Sequence, residues 1–135
     1  MAELEIEARV DNLDDVLAFL DEQLESRNCP VRQQMQLDVA VEEIFVNIAS
    51  YAYGDKVGMA KISIEFEEDP SVVTVTFYDS GMPYDPLARE DPDVTLSVED
   101  RGIGGLGIYM VKKSMDDVTY EYRDGQNVFS IRRNL

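Results

Sequence analysis

Arg101-Gly102-Ile103-Gly104-Gly105-Leu106-Gly107-Ile108-Tyr109-Met110-Val111 places four glycines within six positions, directly ahead of an apolar, helix-like run. Glycine lets the backbone take positive φ and approach another group with no Cβ in the way. A helix starting there turns its free N–H groups and the positive end of its dipole toward whatever lies in front. That combination suits a phosphate. A glycine loop that only turns the chain, or close helix packing, reads equally well from this stretch alone.

The surrounding composition narrows the choice. At 135 residues, 44% hydrophobic and 30% charged, the chain has the make-up of one globular domain over 1–135 with a real core. No apolar run approaches the ~20 residues of a membrane span, and the acidic start Met1-Ala2-Glu3-Leu4-Glu5 is no signal peptide. Cys29 is the single cysteine, which excludes an internal disulfide and points to the cytoplasm. The absence of histidine removes Ser-His and Cys-His nucleophile pairs and histidine metal sites. A net charge of −16 argues against direct nucleic-acid binding. The charge is uneven: residues 1–100 carry 6 basic and 24 acidic side chains, residues 101–135 carry 6 and 4. The glycine stretch therefore opens the one region hospitable to an anion, and a nucleotide held beside the acidic remainder calls for a divalent cation.

Periodicity predicts the elements. Leu4, Ile6, Ala8 and Val10 alternate with charged residues, the pattern of a half-buried strand over 3–10. Asp11 or Asn12 is placed to cap a helix running to about Arg27, with Val16, Leu20 and Leu24 on its apolar stripe. A second, longer helix is expected from about Val31 to Tyr53, ended by Gly54. Strands follow near 59–67 and 72–78 around a turn at Glu68-Asp69-Pro70-Ser71. Residues 82–101 lack periodicity and hold three prolines and six acids, as lids do. A helix over 105–115 and strands near 118–122 and 128–132, joined at Asp124-Gly125, close the chain. The order implies an α+β two-layer sandwich, three helices on one face of a mostly antiparallel mixed sheet.

Two further groups carry chemistry. Glu43 and Asn47, four residues apart, share one helix face at the margin of its apolar stripe. An amide oxygen there suits Mg²⁺ and a carboxylate suits a water or a hydroxyl proton; a solvated polar pair has the same spacing. Asp79-Ser80-Gly81 follows a strand directly. The aspartate can accept from an exocyclic amine with Gly81 admitting a flat base, or the two can simply end the strand.

Taken in order, Glu-x-x-x-Asn, Asp-x-Gly, a long loop and a glycine-rich helix start resemble the N box, G1 box, ATP lid and G2 box of the GHKL (Bergerat-fold) ATPases. Ala40–Tyr53, Asp79–Pro86 and Gly104–Tyr109 with Met115–Val118 are similar to those segments in RsbW-type anti-sigma-factor serine/threonine kinases. The resemblance implies ATP and Mg²⁺ as cofactors. Asn47 would bind the metal and Glu43 would act as general base for a substrate serine. Asp79 and Gly81 would take the adenine, Gly104, Gly105, Leu106 and Gly107 the phosphates, and Arg101 the γ-phosphate. It implies a kinase that phosphorylates a STAS-domain anti-sigma antagonist and sequesters a sigma factor, as a homodimer. A nucleotide-gated partner-binding module without kinase activity would carry the same motifs. Tyr51 stands where the family often has histidine, and the lid carries an extra Gly102-Ile103. With no phosphoacceptor histidine, and strands expected at both ends of the chain, the histidine-kinase and gyrase-like branches match less well.

Overall fold

The computed structural model describes residues 1–88 and 106–135. Its elements are strand β1 (Ala2–Glu7), helix α1 (Leu13–Ser26), helix α2 (Val31–Asn47), strands β2 (Met59–Glu67) and β3 (Val72–Asp79), helix α3 (Leu106–Ser114), and strands β4 (Asp117–Arg123) and β5 (Gln126–Asn134). The five strands form one sheet in the order β1-β2-β3-β5-β4. Every pair is antiparallel, so the mixed component expected from sequence is not present among the described residues.

Alternation places one face of the sheet against the helices. Val73, Val75 and Phe77 of β3, Ile62 and Ile64 of β2, and Phe129 and Ile131 of β5 are buried on it. Val16, Leu20 and Leu24 of α1 and Leu37, Val41, Ile44 and Phe45 of α2 complete the core. At ~25 cal/mol per Å² of apolar surface removed from water, each such side chain contributes about 1.5–3 kcal/mol. The turns follow their residues: Asp124 (φ 55°) and Gly125 (φ 78°) are the paired positive-φ positions of a type I′ hairpin.

Three expectations are corrected. The first strand stops at Glu7: Ala8 N–H still meets the Gly58 carbonyl in register (2.8 Å), but Arg9 N–H folds back to the Glu7 carbonyl (2.8 Å) and a 3₁₀ turn begins at Val10, which is exposed. Neither Asp11 nor Asn12 caps α1; Asn12 Nδ2 donates instead to the Glu7 carbonyl at 3.0 Å. The second helix is not uniform: α2 ends at Asn47 and the chain continues as a single π turn, Ile48–Ala52. Gly54 (φ 64°) then takes the left-handed position expected of it.

Candidate functional site

The end of α2 is where the singled-out residues converge. Glu43 and Asn47 are half-buried, and neither side chain has a hydrogen bond or ion pair among the described residues. The π turn immediately after Asn47 widens the helix and re-aims its last carbonyls. One of them, Ala52 C=O, accepts the N–H of Met82 at 2.9 Å. A Cβ at Gly81 would collide with that same carbonyl. The side of Gly81 where a Cβ would stand is therefore filled by the protein's own backbone. Tyr53 completes the joint: its hydroxyl accepts Ser80 N–H (2.8 Å) and donates to the Met59 carbonyl (2.5 Å). Burial pushes this phenol above its usual range, so it remains a donor.

Asp79 stands at the end of β3 on the core face, 5% exposed. Its Oδ1 accepts Gly81 N–H (3.0 Å) and Asn127 Nδ2 (2.9 Å). Oδ2 has no hydrogen bond among the described residues, which leaves one acceptor for a ligand amine. Asn127, on β5 and 6% exposed, is fully engaged. Besides Asp79, its Nδ2 donates to the Met82 carbonyl (2.8 Å), and its Oδ1 accepts from Tyr84 N–H (3.1 Å) and the Tyr120 hydroxyl (2.5 Å). One buried amide thus holds the aspartate, the segment Met82–Tyr84 and β4 together.

Helix α3 supplies the other wall. It begins at Leu106, so its first backbone N–H groups have no partner within the helix. Gly107 lies against Glu43, and a Cβ there would strike Glu43 Oε2. The carboxylate thereby rests at the positive end of α3, where negative charge is favoured. Arg101, Gly104 and Gly105, together with Gly102 and Ile103, lie outside the described residues, as does the expected lid beyond Ala88; the side chain of Leu106 does too. Glu43 and Gly107 are brought into contact, Asn47 stands one turn further along α2, and Asp79 is fixed across the π turn from it. Asn127 is not singled out by the sequence, and Tyr53 enters there only as the end of a helical segment. Asn127 had a signal: by alternation it shares the core-facing side with Phe129 and Ile131, where an amide must find partners. A separate cleft between Asn28–Pro30 and Phe66–Glu68 involves none of these residues.

The family model of the histidine kinase-like ATPase domain matches residues 6–133. The chain belongs to that family. Among its relatives, the serine/threonine-protein kinase BtrW of Bordetella bronchiseptica is 26% identical over 124 residues, covering 92% of this chain and 87% of BtrW. The serine-protein kinase RsbW of Listeria monocytogenes is 32% identical over 97 residues, covering 68% of this chain and 60% of RsbW. In structure, the chain is similar to the crystal structure of the RsbU and RsbW domains of a Mycobacterium tuberculosis protein. There the TM-score is 0.69 at 16% identity, covering 99% of this chain and 33% of the other. That likeness establishes the fold. No group of three or more Asp, Glu, Cys or His able to hold a metal is found among the described residues. A lone unpartnered amide oxygen fits Mg²⁺, which takes its remaining ligands from water and phosphate oxygens.

Proposed function

We propose that this protein is an ATP-dependent serine/threonine kinase of the anti-sigma type. It phosphorylates a STAS-domain antagonist and binds a sigma factor in turn, in the cytoplasm. No helix of the described residues is long and apolar enough to cross a membrane, and two relatives carry the name of serine or serine/threonine kinases. The observation that carries the reading is the unpartnered pair Glu43 and Asn47 at the end of α2, with Glu43 against the first turn of α3.

Each residue then has one task. Asp79, oriented by Asn127 and Gly81, accepts a hydrogen bond from the adenine amine through Oδ2. The free N–H groups of α3, with Gly104, Gly105 and Gly107 ahead of and within its first turn, receive the phosphates. Asn47 holds Mg²⁺, which neutralises charge on the phosphate oxygens when bound. Glu43 accepts the proton of a substrate serine as its oxygen bonds to the γ-phosphorus and the bond from that phosphorus to the β–γ bridging oxygen breaks, releasing ADP. Positioning and charge stabilisation carry most of such a transfer, so a rigid seat for Asp79 and Glu43 matters more than strong basicity. Arg101, from the lid, would meet the γ-phosphate.

Incubation with Mg·ATP and a cognate STAS-domain protein, read by intact-mass spectrometry, should add one phosphoryl group to a serine. A STAS protein that stays unmodified while nucleotide binds normally would refute the kinase reading.

A further inference from the structure

Helix α2 buries one face in the core and leaves the opposite face apolar as well. Val31 is 74% exposed, Met35 63% and Val39 53%, spaced i, i+4, i+8 along a single solvent-facing stripe. An apolar stripe on the outer face of an amphipathic helix is not explained by the fold, since the core is complete without it.

The border of the stripe is one-sided in charge. Along the α1 side lie Asp21, Glu25 and Asp38, while Arg32 stands exposed on the other flank. Gln34 Nε2 reaches Asp21 Oδ1 (3.2 Å) and Glu25 Oε1 (3.5 Å), which draws these carboxylates to the α1–α2 seam. None of these three carboxylates is in an ion pair among the described residues. Their crowding is felt locally: burial and the neighbouring Asp21 and Glu25 raise Asp38 to about 7.

We infer that this face of α2 docks a basic amphipathic helix of a partner protein, its apolar side on Val31, Met35 and Val39 and its Lys or Arg side along the acidic rail. Charge complementarity selects this occupant. A second copy of this chain, at net charge −16 and with the same rail, would bring carboxylates toward carboxylates. The inference does not depend on the kinase reading, because the stripe lies outside the residues assigned to the nucleotide.

The probe is an 18-residue helical Leu/Lys peptide with leucines on one face, compared with a scrambled peptide of the same composition that cannot form an apolar face. Binding to the full chain is measured by fluorescence anisotropy, and mass in solution by sedimentation. The amphipathic peptide should bind at least tenfold more tightly than the scrambled one. A Met35→Gln/Val39→Gln variant, both positions exposed and so tolerant of change, should lose that advantage while keeping its melting temperature and ATP affinity. Equal binding of both peptides, or undiminished binding by the variant, would overturn the inference. So would a homodimer of the free protein that the double variant dissociates, because the stripe would then belong to a second copy.

Discussion

Asn127 shows how much a single buried amide can decide. It makes four hydrogen bonds, and its loss leaves the Met82 carbonyl and the Tyr120 hydroxyl short of a partner and Asp79 free to turn. Asn127→Ala should cost about 2–4 kcal/mol in urea unfolding, the scale of unsatisfied buried polar groups, and weaken ATP binding at least tenfold by calorimetry. Asn127→Asp should be worse for ATP, since it sets a second carboxylate against Asp79. A variant with wild-type ATP affinity would remove Asn127 from the site. Gly107 tests the opposite wall. The Cβ of Gly107→Ala meets only the far end of the Glu43 side chain and no backbone atom, so stability should change by under about 1 kcal/mol. Phosphoryl transfer, measured with radiolabelled ATP, should fall at least tenfold because Glu43 is displaced. At this scale the sequence was partly readable. Asp79 announces itself by following Val73, Val75 and Phe77 on the core face, and Asn127 has the same signature in β5. Which hydrogen bonds join the two is a matter of register between distant strands, and no local pattern encodes it.

At the scale of elements, the π turn joins helix to strand. Gly81→Ala would press a Cβ on the Ala52 carbonyl, a backbone atom unable to swing aside, and should destabilise by about 1–3 kcal/mol; differential scanning calorimetry would show it as a lower Tm. The helices and strands themselves were legible because their apolar periods are regular. The π turn was not, since Ile48–Ala52 continues a helical pattern and the extra residue serves a tertiary contact with Met82. The α1–α2 seam has its own signature in pH. The folded pKa of Asp38, about 7, lies above the usual 3.8, so the folded state holds its proton more tightly than the unfolded chain. Stability is thus fullest below about pH 4 as far as this group is concerned and declines as pH rises to about 7. Asp38→Asn should flatten that decline and add about 1 kcal/mol at pH 8, a modest gain because solvent screens the carboxylates. Urea titrations at pH 5 and pH 8 that show the same slope in both proteins would refute it.

For the whole molecule, ligand and fold are linked through the sheet. A nucleotide that binds only the folded state should stabilise it by about 2.7 kcal/mol at one hundred times its Kd. Asn47→Ala should abolish the part of the Tm rise that depends on Mg²⁺ while retaining the part given by nucleotide with EDTA. An unchanged Mg²⁺ increment would exclude Asn47 as the metal's ligand. The strand order carries a further meaning. β5 does not lie at an edge: it is inserted between β3 and β4, and from it Asn127 reaches back 48 residues to Asp79. On the ribosome, then, Asp79 emerges long before the side chain that orients it. The hydrogen bond that seats Asp79 forms only once β5 has left the exit tunnel, so β1 to β3 wait for it with the carboxylate unheld.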